Sequence, residues 1–432
     1  MEQTQETFIR PNYKKDAMVN TIANILYLFA LWLMTFLTPK IGNFADAGVF
    51  TIALSLANIC TAISTYNISI FQASDVNKKY KDNHYLYFGL TTTFISFIIA
   101  LSLCFAFGYL SGPNGVATFF AIFLYYVFKS AENVSLIFYV SMQRQGKMYL
   151  SGYSLLVKAV VMLGIFVGVY AISKSLVLTM GVLAVSAYLY MFLVDFTLVK
   201  KHCGNVLKID KANFKIAMSL FAAAAAVCIY GFSFAMIPSL PRMIYEKLPS
   251  VSAEQVGYFG TMAAITVLIQ AAVNALLVPF IPKITKAYND REFKEFFKIL
   301  AGFTLLIGGL TLVAFLMVHF LGHWALTLFY GEAIGEYSSI FKWIVLATGL
   351  QTMIILLATV CISMRKKIAV AVVSLLGLAV MGGLVYPLVA NFEMMGIVYV
   401  YYISYGIMAL GFIGVLIYCL YKQIKQKEVI SA

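Results

Sequence analysis

Three charged residues lie inside apolar stretches of this sequence. Lys129 and Glu132 interrupt the run "YYVFKSAENVSLIFYV", and Lys158 lies in the next run. A charge near the centre of a bilayer costs ~2.5–3.5 kcal/mol on insertion scales, so it is rare unless it pairs or binds something. Lys129 and Glu132 share a helix face because residues i and i+3 are neighbours. Two ammonium groups and one carboxylate at similar depth predict a cavity-lining site with net positive charge, suited to an anionic substrate.

A structural alternative is that these charges neutralise one another in a packed helix bundle. Asp195, near the inner end of its run, is interpreted as a solvated partner of Lys200. Further polar side chains are candidates for substrate binding, although interhelical hydrogen bonds explain them equally well. They are Asn24, Asn67, Gln270 and Asn274. No metal-ligand cluster, nucleotide-binding motif or nucleophile motif occurs, so we predict no cofactor, no metal and no catalytic residue.

The elements that carry these residues are transmembrane helices. The chain is 62% hydrophobic and only 11% charged, whereas charged residues approach a quarter of an ordinary soluble protein. Apolar stretches of ~20 residues recur, each able to cross a ~30 Å hydrocarbon core. Twelve are predicted, at 18–38, 47–72, 85–110, 116–141, 149–171, 175–198, 214–238, 256–281, 297–320, 339–363, 368–390 and 394–420. The fold class is therefore all-α: a polytopic membrane protein with twelve helices in two six-helix bundles related by pseudo-two-fold symmetry.

The basic residues predict the orientation. Alternate gaps between the spans hold 24 lysines and arginines, and the opposite gaps hold four: Lys40, Lys174, Arg242 and Lys247. By the positive-inside rule, both termini and the basic gaps are cytoplasmic. The net charge of +13 therefore reflects topology, and we predict no nucleic-acid partner.

The two halves of the sequence resemble each other. The longest inner polar stretch, 199–213, is predicted to link an N-terminal lobe (1–200) to a C-terminal lobe (201–432). At an offset of 209 residues, "AGVF" at the start of the second span aligns with "VGYF" at the start of the eighth. Gly48 then aligns with Gly257, and Phe71 with Phe280. A parallel repeat of this kind is typical of transporters whose halves rock about a midplane site.

Four segments, in order along the chain, resemble bacterial polysaccharide exporters. They are "FQASDVNKKYKDNHYLYF" with Ser74, Asp75, Tyr80 and Tyr85; "SAENVSLIFYVSMQRQGKM" with Glu132; "VPFIPKITKAYND"; and "LFYGEAIGEYSSIF". Exporters of this type are lipid-linked oligosaccharide flippases of the multidrug/oligosaccharidyl-lipid/polysaccharide exporter superfamily. The family's arginines near the first segment are absent here. Lys129 and Lys158 stand where the family has arginines in helices 4 and 5.

The resemblance implies a cargo and partners. The cargo would be an undecaprenyl-diphosphate-linked oligosaccharide, moved across the bacterial cytoplasmic membrane for surface polymers. Glu132 would couple H⁺ or Na⁺, and glycosyltransferases or a polymerase of the same pathway would be neighbours in a setting of membrane lipids. We weigh two alternatives: a drug or metabolite antiporter of the same superfamily, and a membrane-embedded glycosyltransferase or polymerase. The absence of a catalytic constellation favours a non-enzyme.

Overall fold

The computed structural model describes residues 13–74, 80–110, 115–204, 211–277 and 280–431. The first half contains eight helices in chain order: α1 (Tyr13–Ile41), α2 (Phe44–Thr65), α3 (Ile68–Ser74), α4 (Asp82–Cys104), α5 (Gly115–Arg144), α6 (Met148–Ser173), α7 (Leu176–Tyr190) and α8 (Phe196–Cys203). Two short π-helical turns occur in this half. One continues α4 over Phe105–Tyr109, and the other joins α7 to α8 over Met191–Asp195.

The second half follows the same plan. Its helices are α9 (Lys211–Met218), α10 (Leu220–Glu246), α11 (Ala253–Leu277), α12 (Ile281–Asn289), α13 (Phe293–Tyr330), α14 (Glu332–Gly335), α15 (Ser338–Ser363) and α16 (Lys367–Ser431). The backbone of α16 breaks at Glu393, where φ is 47° and ψ is −125°. Two helices therefore meet there.

Each of the twelve predicted spans lies mostly on helix in the described residues, and the second, 47–72, is interrupted at Tyr66 and Asn67 between α2 and α3. In the described part of the chain, ten helices are long and apolar enough to cross a membrane. One of the ten, Lys367–Gln423, contains two spans on either side of the break at Glu393. The 25-residue helix α11 accounts for the remaining predicted span. The prediction of an all-helical membrane protein is confirmed.

Several span ends were predicted wrongly: α2 ends at Thr65 rather than at residue 72, and α13 runs to Tyr330 rather than ending at residue 320. The end of the seventh span matters most here, because a charge follows it. The seventh span was expected to end at residue 238, leaving Arg242 in an outer gap. Instead α10 runs on through Pro238 and Pro241 to Glu246. A proline lacks the N–H that the helix needs, but neighbouring helices can satisfy the freed carbonyls. Arg242 is therefore a helix residue.

Helix contacts repeat between the two halves. In each half, the second span contacts the fourth: α2 contacts α5, and α11 contacts α15. The third span also contacts the fourth: α4 contacts α5, and α13 contacts α15. Between the halves, α2 packs against α11, while α2 also packs against α10 and α1 against α11. When the equivalent helices of the two halves are exchanged, the α2–α11 pair becomes itself, and the α2–α10 pair becomes the α1–α11 pair. The contacts between the halves therefore follow the same pseudo-symmetry.

We call α1–α8 the N lobe and α9–α16 the C lobe. The predicted lobe boundary in 199–213 stays a prediction, and 205–210 lie outside the described residues.

The lobes approach closely where α2 and α11 cross, near the ends predicted to face outward. A Cβ added to Gly48 would lie 2.0 Å from the Ala253 carbonyl oxygen, and one added to Gly257 would lie 2.2 Å from the Phe44 carbonyl oxygen. The repeat offset of 209 residues relates Gly48 to Gly257 and also Phe44 to Ala253. The crossing therefore joins equivalent residues across the pseudo-two-fold axis, and only glycine lets the two backbones come this close.

Two lysine–aromatic contacts flank this crossing. At the end of α1, the Lys40 ammonium lies 5.2 Å from the centre of the Phe329 ring on α13. At the end of α10, the Lys247 ammonium lies 5.5 Å from the centre of the Phe107 ring, which follows α4. Helices α1 and α10 are equivalent, as are α4 and α13. The two contacts therefore obey the same pseudo-symmetry and join the lobes at the predicted outer side.

At the opposite ends of α2 and α10, hydrogen bonds join the lobes. Tyr66 donates its hydroxyl to the Phe221 carbonyl (3.2 Å), and Asn67 Nδ2 donates to the Val227 carbonyl (3.2 Å). In the described residues the lobes therefore touch at both ends of α2.

Candidate functional site

In the described part of the N lobe, four charged side chains form a cluster within the helix bundle. Lys129 and Glu132, one turn apart on α5, form an ion pair as predicted. The two side chains are 18% and 11% exposed. Lys158 on α6 is brought close to them, because Ser135, one turn beyond Glu132 on α5, accepts a hydrogen bond from Lys158 Nζ at 3.0 Å.

Lys158 has its own carboxylate partner, which the sequence interpretation assigned elsewhere. Lys158 Nζ donates to Asp195 Oδ2 at 2.7 Å, and the two side chains are 2% and 0% exposed. Asp195 was predicted to be solvated and paired with Lys200; that prediction is wrong. A carboxylate withdrawn from water needs a cation and hydrogen bonds to replace its hydration, and the bundle supplies both.

In the Lys158–Asp195 pair, the carboxylate accepts four hydrogen bonds, and two of the three donors of the ammonium group are used. Asp195 Oδ2 also accepts from the Ser135 hydroxyl (2.7 Å), and Oδ1 accepts from the Tyr139 hydroxyl (3.1 Å) and the Ser154 hydroxyl. Lys158 donates to Asp195 and Ser135, and its ammonium lies 5.2 Å from the ring centre of Tyr139. This pair therefore matches the structural alternative, in which charges neutralise each other.

The backbone helps to place Asp195. The residue ends the π-helical turn Met191–Asp195 between α7 and α8. Such single-turn widenings of an α-helix shift the residues that follow around the axis. The sequence near Asp195 offered only the local Lys200, and nothing in it indicated that the side chain points to α6.

The Lys129–Glu132 pair does have unused capacity. Among the described residues, the buried oxygen Glu132 Oε1 has no hydrogen-bond partner. The only hydrogen bond of Lys129 Nζ in this part of the chain goes to Glu132, although an ammonium carries three donors. An ion or a substrate group can therefore still bind at this pair.

The charge of the N-lobe cluster differs from the prediction. Two lysines and one carboxylate gave a net positive site in the sequence interpretation. With Asp195 included, two lysines face two carboxylates, and the described cluster is neutral.

The remaining candidate residues are dispersed. Asn24 is exposed on α1 and donates to the Asn20 carbonyl at 2.8 Å. Asn67 lies at the α2–α10 contact between the lobes. Gln270 lines a small cavity within the C lobe. The side chain of Asn274 lies outside the described residues, as does Asp75 of the exporter-like motif. The contacts of the three described amides therefore do not join them to Lys129.

A larger cavity lies beside the α2–α11 crossing. Its volume is about 450 Å³, and residues of both lobes line it. Its charged groups are Asp46, Lys174 and Glu246, and its hydroxyl groups come from Thr118 and Ser175. The Asp46 carboxylate accepts a hydrogen bond from Tyr170 at 2.7 Å, and Lys174 donates to the Ile41 carbonyl at 2.8 Å. Ligand pockets typically measure ~300–1,000 Å³, so this cavity has room for one or more sugar rings.

The sequence did not single out this cavity, because its charges are scattered singly through predicted outer gaps. The packing of α2 against α10 and α11 places Asp46 and Glu246 in the lining of the same cavity.

Comparison with known proteins gives one sequence relative. The chain is 25% identical over 332 residues to the capsular polysaccharide biosynthesis protein CapF of Staphylococcus aureus, covering 76% of this chain and 80% of that protein. No protein-family model matches the chain.

Solved structures with the same fold are transporters. An inward-facing multidrug resistance MATE family transporter of the MOP superfamily matches 95% of this chain with a TM-score of 0.69 at 11% identity, covering 98% of that chain. The Vibrio cholerae MATE transporter VcmN matches 96% of this chain with a TM-score of 0.62 at 14% identity, covering 97% of that chain. The eukaryotic MATE transporter AtDTX14 matches 96% of this chain with a TM-score of 0.63 at 14% identity, covering 98% of that chain. These likenesses confirm the two-lobed helical fold. The similarity to the capsular polysaccharide biosynthesis protein agrees with the resemblance that the sequence segments indicated.

Proposed function

We propose that the protein is a flippase that moves lipid-linked oligosaccharides across the bacterial cytoplasmic membrane for surface polysaccharide assembly. The observation that carries this proposal is the similarity to CapF over three quarters of the chain, because that protein is named for capsular polysaccharide biosynthesis. The cargo would be an oligosaccharide on undecaprenyl diphosphate.

The charges within the membrane interior support an anionic or neutral cargo. An exporter of organic cations needs a carboxylate free to meet the cation. In the described N lobe, Asp195 is saturated by hydrogen bonds, and the charge of Glu132, which keeps one oxygen without a partner, is neutralised by Lys129. The Lys129 ammonium keeps unused N–H donors, and these could donate hydrogen bonds to the oxygens of a diphosphate.

The coupling ion would bind at Glu132. Glu132 Oε1 is buried and lacks a partner among the described residues, and such an oxygen is costly to leave unsatisfied. A proton or Na⁺ at this oxygen would remove that cost and change the charge of the pair. Coupling then follows if cargo and ion favour different open states.

The transport step would be a rocking of the lobes. The α2–α11 crossing and its flanking lysine contacts close one side, which we assign to the outside on the basis of the basic gaps. Release outward requires these contacts to separate, and the 450 Å³ cavity beside them would then receive the sugars.

A gene deletion tests the function. We expect the deletion strain to lose surface polymer and to retain lipid-linked repeat units in the inner leaflet, with recovery when the intact chain is supplied. The second candidate is the antiporter, which the MATE fold supports. Normal surface polymer together with increased drug sensitivity in the deletion strain would reject the flippase in favour of the antiporter.

A further inference from the structure

Arg242, on α10 in the C lobe, is a cation without a carboxylate partner. Its Nε donates to the Tyr401 hydroxyl at 3.2 Å, and its guanidinium carbon lies 5.5 Å from the centre of the Phe259 ring. Throughout the described part of the chain, no carboxylate oxygen lies within 4.0 Å of this side chain. A guanidinium has five N–H donors, and the hydroxyl uses one.

The guanidinium lines a cavity of about 30 Å³ inside the C lobe. Besides Arg242, the polar residues around it are two threonines, two glutamines and two tyrosines: Thr266, Thr348, Gln270, Gln351, Tyr401 and Tyr405. Tyr405 is 1% exposed, and its hydroxyl has no hydrogen-bond partner among the described residues. The space holds one or two waters, so it admits a single small ion but not a sugar.

The charge balance selects the sign of that ion. Arg242 is only partly exposed, and withdrawing a cation from water is costly without a compensating negative charge. An aromatic ring with one hydroxyl compensates that cost only in part. The unpartnered Tyr405 hydroxyl and the amides of Gln270 and Gln351 are further donors around the same space.

We propose that this cavity binds one small monovalent anion of halide size, held by the Arg242 guanidinium and the Tyr405 hydroxyl. The proposal goes beyond the flippase assignment and holds whatever the cargo is, because the site lies in the other lobe from the Lys129–Glu132 pair.

The anion would stabilise a weak part of α10. Pro238 and Pro241 remove two backbone donors from this helix. The Tyr401 hydroxyl, which accepts from Arg242, donates to the Pro238 carbonyl at 2.8 Å. Anion, arginine and tyrosine then form one hydrogen-bonded chain that ties α10 to α16.

Bromide allows direct observation, because it scatters X-rays anomalously. In crystals of the full-length protein grown or soaked in sodium bromide, we expect an anomalous peak beside the Arg242 side chain. Crystals that show bromide elsewhere on the protein but none in this cavity would overturn the proposal.

Thermal unfolding in detergent gives a second test. At equal ionic strength, bromide should raise the Tm of the wild-type protein above its value in gluconate by about 2 °C. Arg242→Gln should abolish this difference and Tyr405→Phe should reduce it, whereas Lys342→Gln, a cation on neighbouring α15, should leave it unchanged.

These variants keep the test decisive. If Arg242→Gln does not fold, Tyr405→Phe and the wild-type crystals still report on the site. An equal bromide effect in the wild-type protein and in either cavity variant would reject the site, as would a sulfate effect as large as that of bromide, because sulfate exceeds the cavity.

Discussion

At the residue scale, the two lysines of the N lobe differ in what their ammonium groups can still bind. Lys158 is enclosed by Asp195, Ser135 and an aromatic ring. Lys129 has one carboxylate partner and a partly exposed side chain. The two residues therefore lead to opposite predictions for the same substitution.

Removing Lys158 should destabilise the protein. Lys158→Ala leaves the Asp195 carboxylate buried without its cation, which typically costs ~3–5 kcal/mol. We expect a lower Tm in detergent and less folded protein in the membrane. The double variant Lys158→Ala/Asp195→Ala removes both charges and should recover much of the Tm. A single variant as stable as the wild-type protein would show that the pair is not structural.

Removing Lys129 should impair export instead. We expect Lys129→Gln to keep most of the folded protein, because the side chain is partly exposed, and to lower the rate of export at least tenfold if it contacts the diphosphate. The measurement is surface polymer per molecule of protein in a deletion strain. Unchanged export at unchanged protein level would exclude Lys129 from the substrate path.

Glu132→Gln should change the ion dependence of transport more than it changes the protein level. The amide keeps the size of the side chain but cannot take up a proton. Transport into vesicles, measured across a range of pH and Na⁺ concentrations, should therefore lose its dependence on one of the two ions. A variant with the same pH and Na⁺ profile as the wild-type protein would argue against coupling at this residue.

At the element scale, the sequence was enough to predict most of the helices, but not all of the side-chain pairs that join one helix to another. Length and hydropathy predicted twelve spans because a helix crossing the membrane must be apolar over about 20 residues. The i, i+3 spacing likewise predicted the Lys129–Glu132 pair. The Lys158–Asp195 pair could not be predicted, because it depends on the rotation of α7 and its π-helical turn against α6. Arg242 was misplaced because two prolines resemble a helix end.

The α2–α11 crossing gives the prediction for this scale. Gly48→Leu forces a side chain into the backbone of α11, so we expect the closed contact to be lost and export to fall at least tenfold. Gly164→Leu on α6 is the matched control, since a Cβ there meets nothing within 4 Å. Equal export by the two variants would show that closure at this crossing is not needed.

At the scale of the whole molecule, the repeat fixes how the halves sit in the membrane. Six spans return the chain to its starting side, so both lobes have the same orientation. Reporter fusions after Lys81, Lys211 and Ala432 should all report the cytoplasm, and one after Lys174 should report the outside. An outside signal from Lys211 would contradict the plan of two sets of six helices.

The glycine crossing has a consequence for how the two halves can vary. Because Gly48 meets the backbone near Gly257 and Gly257 meets the backbone near Gly48, the surface is isologous: the same patch lies on each side of the axis. A single six-helix chain carrying this patch would pair with its own copy in this geometry. In this chain, a larger residue at Gly48 would clash with the backbone of α11, and one at Gly257 would clash with the backbone of α2. Only a shift or a substitution in the opposite half can remove such a clash, so the two positions are expected to change together.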